Sequence, residues 1–517
     1  MKQAKLLLLS LVLVLAASTG ARADGVDVKV KGEWDFSFGW TGNFGFTHSV
    51  HGDAYGNGED SGYAQQRIRT QIDFVISENL SAVYGIQVGT ITWGRSEGNI
   101  GAESGGAMDA DGVNLATHLA YLDWMIPSTD IQVRMGIQGI ALPSTPMGTP
   151  VLDSQVAGIA VSTPLTDWLG LTAMWLRPYD AYAGDAAGGN PRFDEMDIFG
   201  LVLPIDIEPA GLKVTPWFLY SLVGAGSGYY DHLFTGEDNT VGVDPEDGNG
   251  NLLDASSARG SRTSVFWIGT HMEFSLLDPL VFNVEAIYGK LRQTDVTGLL
   301  GVNEDENDLA LPAGYRLGTS GWFIGATLDY TLEIGEDFSM TPGIFGWWAS
   351  GDNSSAGETG KLGRLPTLSQ GNGGFAPTTF GAAGTFSIGR DTAVTATGLG
   401  TWGIGVQLAD ISFIEDLSHT LRFAYYKGTN SSEGVRNNGY ESVFKYDSDG
   451  LYLTDKDHVF EVNFDHSYAI YENLTAVLEL GWLHLSADRD TWRGADDDTG
   501  STGQNAWKAQ LTLQFSF

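Results

Sequence analysis

The chain has 517 residues, with 64 acidic against 28 basic side chains and a formal net charge of −36. That balance excludes a nucleic-acid partner, which needs a basic footprint. The absence of cysteine excludes disulfides and thiolate metal sites. Sixty-nine glycines together with 15 Trp, 19 Tyr and 25 Phe favour a strand-rich architecture.

The first predicted element is a leader, residues 1–23. Lys2 and Lys5 form a positive end, Leu6 to Ala17 a short apolar core, and Ala21-Arg22-Ala23 a small-x-small site that predicts cleavage before Asp24. Its apolar run is too short for a spanning helix, which needs about 20 residues. No later stretch is apolar enough to be one. Residues 24–517 are expected to form a single transmembrane β-barrel domain.

Eighteen segments of alternating polarity follow, at 28–41, 64–77, 80–93, 113–126, 130–140, 154–163, 167–177, 193–205, 211–222, 262–275, 279–291, 319–332, 337–349, 397–411, 416–427, 456–470, 473–486 and 505–517. Period-two alternation marks strands with one apolar and one polar face. Short connections such as "EN" at 78–79 and "YEN" at 471–473 alternate with long ones such as 223–261 and 350–396. A tilted strand of about 9–11 residues crosses the hydrocarbon core. An even number of strands with turns at one end and loops at the other predicts a closed antiparallel barrel with short periplasmic turns and long extracellular loops. Closure is compulsory, because lipid tolerates no unpaired sheet edge. One misread pair within 350–411 would reduce the count to 16. A sandwich would seldom need so many strands in one domain, and a solenoid would show a fixed period.

Trp34, Trp40, Trp93, Trp124, Trp168, Trp175, Trp322, Trp347, Trp348 and Trp482 lie near segment ends, as membrane-interface aromatics would. The opposite faces carry the charges. Gln65, Arg67, Arg69, Gln71 and Asp73 share one side of a segment; Gln132, Arg134 and Gln138 share another; Asn283, Glu285, Arg422, Glu461, Asn463, Asp465, Glu479 and Lys508 complete the set. An Arg or Lys facing lipid at the midplane costs about 2–4 kcal/mol, so these side chains are expected to line a water-filled pore.

The connection 141–154, "ALPSTPMGTPVLDS", stands apart. Pro143, Pro146 and Pro150 stiffen it, and Asp153 is its only charge. It is expected to fold into the barrel mouth as a constriction loop.

"VKVKGEWDFSFGW" at 28–40 and "GIQGIALPSTPMGTPVLDSQVAGI" at 136–159 resemble the general diffusion porins, and most closely the homotrimeric outer-membrane porins of sulfate-reducing bacteria. The resemblance implies a homotrimer with one pore per barrel, and a third loop that constricts it. It also implies acids on that loop facing arginines on the wall, here Arg67, Arg69 and Arg134. The loop's single acid departs from that pattern.

The expected function is passive diffusion of ions and small hydrophilic solutes, with a weak cation preference from the acidic mouth. The alternative is a substrate-specific channel for a sugar or for an organic or inorganic anion. No enzyme motif is present: the nine histidines show no metal-ligand spacing and no nucleophile motif accompanies them. A TonB-type receptor would need a plug before its first strand. No cofactor is expected. The acidic tracts 236–254, 303–308 and 494–500 could hold Ca²⁺ or Mg²⁺, or bridge to lipopolysaccharide. The last strand, "AQLTLQFSF", places Leu513, Phe515 and Phe517 on its lipid face. A terminal Phe517 resembles the signal read by the barrel assembly machinery.

Overall fold

The computed structural model describes residues 25–42, 60–94, 115–180, 195–224, 229, 254–260, 262–300, 309–310, 316–335, 338–368, 375–378, 399–437, 446–447, 450–451, 453–491 and 503–517. The leader and the three acidic tracts, apart from Asp254, lie outside them. Eighteen antiparallel strands form the wall. They are β1 (Asp27–Gly42), β2 (Asp60–Ser77), β3 (Leu80–Thr92), β4 (Leu115–Met125), β5 (Gln132–Ala141) and β6 (Asp153–Thr166). Next come β7 (Leu169–Tyr179), β8 (Met196–Val202, resumed at Ile205–Ile207), β9 (Leu212–Val223), β10 (Thr263–Phe274), β11 (Leu280–Leu291) and β12 (Arg316–Tyr330, resumed at Leu332–Ile334). The last are β13 (Phe338–Ala349), β14 (Thr401–Ile414), β15 (Leu417–Gly428), β16 (His458–Tyr471), β17 (Leu474–Ser486) and β18 (Gly503–Ser516). Each falls on one of the segments read from the sequence, and the count of 16 is set aside.

The wall closes where β1 meets β18, in a register running from Glu33↔Ser516 to Gly42↔Trp507. The last residue extends the seam. Phe517 N–H donates to the Gly32 carbonyl at 3.0 Å, and Gly32 N–H donates back at 2.8 Å. Glycine is required at 32 because a Cβ there would meet the Arg69 carbonyl and the Phe517 ring. The seam therefore leaves no unpaired edge, which is what a hydrocarbon solvent demands.

Pairing fixes the faces. Trp34↔Phe515, Phe36↔Leu513 and Phe38↔Leu511 sit on the outside, while Asp35↔Gln514 and Ser37↔Thr512 sit within. Ser37 and Thr512 are buried and share a hydroxyl hydrogen bond of 2.9 Å. Around the outside, large apolar side chains are exposed on nearly every strand, including Trp40, Ile268, Ile344, Ile404 and Val406. A contiguous exposed apolar band of this extent is a surface for lipid, not water.

Trp40, Trp93, Trp124, Trp168, Trp322, Trp348 and Trp482 are exposed on that outer surface, most of them toward a strand end, with Trp322 at mid-strand. Trp347 is a correction to the sequence reading. It is 4 % exposed and packs inside the barrel, with its Nε1–H donating to the Thr401 hydroxyl at 2.9 Å. Adjacent residues on a strand point to opposite faces, so Trp347 and Trp348 could not both have faced lipid.

Candidate pore

The inner wall has two distinct halves. Toward the short turns it is polar. Arg67 lies opposite Asp35 on β1 and Arg69 opposite Glu33, with contacts of 3.1 Å and 3.4 Å. Arg67 also reaches Glu33 at 3.7 Å. The Arg69 Nε–H donates to Gln87 on β3 at 2.8 Å. Asp73 accepts from Gln71 at 2.6 Å and pairs with Lys31 at 3.2 Å. On β5, Arg134 lies opposite Asp123 of β4, donates to it at 2.6 Å, and rests over the Tyr121 ring at 4.8 Å. Directly opposed opposite charges stabilise a strand pair by about 0.2–1 kcal/mol.

Further around, Arg422 donates to Asp465 at 2.6 Å and to Gln407 at 3.4 Å, and Gln407 donates to Asp329 at 3.0 Å. Glu479 lies opposite Asp465 on one side and Gln510 on the other, and it is buried, a correction to its expected place on the solute path. Arg67, Arg69, Asp73, Arg134, Arg422, Asp465 and Glu479 thus all lie on the inner face. The arginines are not a bare basic wall, because Glu33, Asp35 and Asp123 neutralise them from neighbouring strands. Those three acids were absent from the sequence-based set. Their signal was the hairpin register, which puts Asp35 across from Arg67.

Toward the long loops the inner face turns apolar on β7 to β13 and on β15, while Thr41, Gln65 and Lys508 keep it polar beside the seam. Leu176, Ile198, Leu219, Trp267, Ile287, Leu291, Phe323, Trp347 and Tyr426 are buried there. What buries them is chain folded in from the long connections, and among the described residues two of these make most of the contacts, with Tyr229 and Leu453 added from two others. The first is the β5–β6 connection. Leu142, Thr145, Met147, Thr149, Val151 and Leu152 are all buried. Leu142 N–H donates to the Leu152 carbonyl at 3.0 Å at its base, and Gly148 N–H donates to Thr145 at 2.9 Å at its tip. Gly148 has φ +82°, a left-handed turn conformation that favours glycine. From β5 the loop reaches the wall at β11 and β12. The Thr145 hydroxyl donates to Glu285 at 3.3 Å, and a Cβ added at Gly325 would meet Met147 and Glu285.

The second is residues 361–368 and 375–378, from the β13–β14 connection. Leu368 N–H donates to the Val151 carbonyl at 2.9 Å, and Ala376 N–H donates to Met147 at 2.6 Å. Trp267 Nε1–H donates to Pro366 at 2.7 Å. The Phe375 ring sits edge-on to Phe323 at 5.2 Å and to Trp347 at 5.5 Å. This inward segment was not read from the sequence. Its signal was composition: 361–378 contains no acid and carries Leu362, Leu365, Leu368 and Phe375, unlike the acidic loops.

Three further expectations need correction. Glu285 is on the inner face but has no exposed surface; it anchors the loop, not a solute path, and its Oε2 is buried without a hydrogen-bond partner. Glu461 is likewise sealed, accepting from Tyr426 at 3.0 Å and Asn463 at 2.9 Å. Asp153 is not in the loop at all: it opens β6 opposite Ala141, on the outer face with exposed Ile159. Of the three prolines, Pro150 is buried, Pro143 half-buried and Pro146 exposed. Among the described residues, no three or more His, Asp or Glu side chains come together as a metal cage.

No family model matches the chain, and no curated protein matches it. Solved structures are similar to it over nearly the whole chain. Pseudomonas aeruginosa OccK2 (OpdF) has 10% identity and a TM-score of 0.48, over 95% of this chain and 98% of that one. Acinetobacter baumannii OccAB4 has 10% identity and a TM-score of 0.45, over 95% and 98%. Pseudomonas aeruginosa OpdQ has 11% identity and a TM-score of 0.44, over 95% and 98%.

Proposed function

We propose that this protein is a bacterial outer-membrane porin: a non-catalytic channel through which ions and small hydrophilic solutes diffuse down their gradients. The observation that carries this reading is the pairing of a closed wall, apolar outside and charged within, with a loop folded back to Glu285. A charged interior is wet, because unhydrated charge is too costly. The β5–β6 loop is the constriction in this reading, with Pro146 and half-buried Pro143 on its uncovered side.

The charges fit weak selectivity. Each of Arg67, Arg69, Arg134 and Arg422 has a carboxylate partner in the wall, so no strong anion-selective field is left at their level. The acidic loops then tilt the preference toward cations. Reconstitution in planar bilayers with a salt gradient tests this. Stepwise conductance with a small cation-selective reversal potential is expected; strong anion preference, or no conductance, would overturn it.

The resemblance to homotrimeric porins of sulfate-reducing bacteria belongs to the same proposal. Outward positions at the loop end of β5 and β6 are small or polar: Gly139 faces Gln155, and Ala141 faces Asp153. That break in the large-residue band suits contact between barrels better than contact with lipid. Export through the leader, recognition of the C-terminal strand by the assembly machinery, and bridging of the acidic loops to lipopolysaccharide complete the reading. A substrate-selective channel is the second reading. The packing of two inward connections favours it, since a narrow passage admits fewer solutes than an open barrel.

A further inference from the structure

Two histidines take no part in the pore. His419 on β15 and His466 on β16 are directly opposite in the strand register. Arg422 and Asp465 point inward, so His419 shares the outer face with Phe423, and His466 shares it with Phe464 and Tyr468, all three exposed. The pair lies just past the short turn, where Ala469 N–H donates to the Asp416 carbonyl at 2.9 Å. That places it near the headgroup layer at the turn end, half-buried between aromatic rings. Phe413 stacks on His419 at 5.2 Å, and Phe464 lies edge-on to His466 at 4.2 Å. The imidazoles themselves are perpendicular, with centroids 4.9 Å apart.

Their Nδ1 atoms approach to 2.6 Å. Two neutral imidazoles can meet so closely only if one donates and the other accepts, or if both lone pairs point at one cation. The flanking rings hold both side chains in place, so a cation would find its two nitrogen ligands already oriented. The spacing discriminates between metals. With bonds of about 2.0 Å, cis nitrogens on a square-planar ion stand about 2.8 Å apart, and tetrahedral nitrogens about 3.3 Å. The observed separation is close to the first. Square-planar nitrogen and oxygen coordination suits Cu²⁺, which also heads the divalent affinity order.

We propose that His419 and His466 form a Cu²⁺ site on the outer surface at the turn end, supplying two cis imidazole nitrogens. Water or lipid phosphate oxygens fill the remaining positions, since no third described His, Asp or Glu joins the pair.

The test uses the full-length protein, purified in detergent without a metal-binding tag and titrated with CuCl2. One Cu²⁺ per chain is expected, with an electron paramagnetic resonance signal split by two imidazole nitrogens. His419→Ala and His466→Ala should each weaken binding by at least about tenfold, and Zn²⁺ should bind more weakly than Cu²⁺. His484→Ala is the control: His484 bonds to Asn505 at the opposite end of the barrel, and its loss should leave the signal unchanged. Binding that survives both substitutions would overturn the proposal. So would a wild-type signal without two imidazole nitrogens, which decides the matter even if a variant fails to insert. The same sample in phospholipid-free detergent separates the oxygen sources: loss of phosphorus coupling there marks lipid phosphate as the outer ligand.

Discussion

The two halves of the barrel interior solve the same problem with opposite chemistry. Toward the turns, inner side chains are polar and satisfy one another across strands, as Arg67 does with Asp35 and Arg422 with Asp465. Toward the loops, on β7 to β13 and on β15, they are apolar and are covered by other chain, as Trp267 is by Pro366 and Trp347 by Phe375. The first half is a wall made for water. The second is a small hydrophobic core built inside a barrel, and the β5–β6 loop forms part of it. An inward loop held by apolar packing and one buried carboxylate has a fixed position, which a sieve requires.

Removing the loop should disturb the interior most. Replacing residues 143–150 with a short Gly-Ser linker should raise single-channel conductance severalfold, read in planar bilayers. Phe375→Ala is the next largest. It removes the ring wedged between Phe323 and Trp347 and should cost about 3–5 kcal/mol of local packing, read as earlier thermal unfolding and as noisier current.

Glu285 sharpens the contrast, since it is the polar anchor within the apolar half. Glu285→Gln can still accept from Thr145 and should leave conductance steady. Glu285→Ala leaves that buried hydroxyl without its acceptor, a loss of about 1–3 kcal/mol, and should increase loop-dependent current fluctuation. In the polar half the effects are smaller and opposite in sign. Asp35→Asn frees positive charge on Arg67 and should shift the reversal potential toward anions, whereas Arg67→Ala should shift it toward cations. Equal shifts in one direction would show that the pair does not act on permeating ions.

The two halves were unequally legible in the sequence. All eighteen strands were readable, because lipid outside and water inside impose strict alternation over the whole wall. The last strand was readable down to Phe517, whose backbone completes the seam with Gly32. The inner location of the charged residues followed from the same alternation. What covers an inner position did not, since alternation assigns a side and not a depth. Glu285 and Glu461 therefore read as solvent-facing although one lies beneath Thr145 and the other beneath Tyr426 and Asn463. Trp347 read as interfacial because position along a strand was weighed above parity. Asp153 read as part of the loop because β6 begins one residue earlier than its apolar pattern.

Phe517 also contributes to the seam between β1 and β18. Deleting Phe517 removes two backbone hydrogen bonds to Gly32 and the ring that stacks on Phe515 at 6.1 Å. Yield of inserted protein should fall, while the channels that do assemble should conduct normally. Normal yield would contradict a role in assembly.

In the proposed channel the β5–β6 loop, seated against Glu285, limits the passage. Single-channel conductance of the wild type against the 143–150 replacement, in the same bilayer and salt, tests it most directly. A severalfold rise with the barrel still folded is expected. An unchanged conductance would show that the narrowest point lies elsewhere.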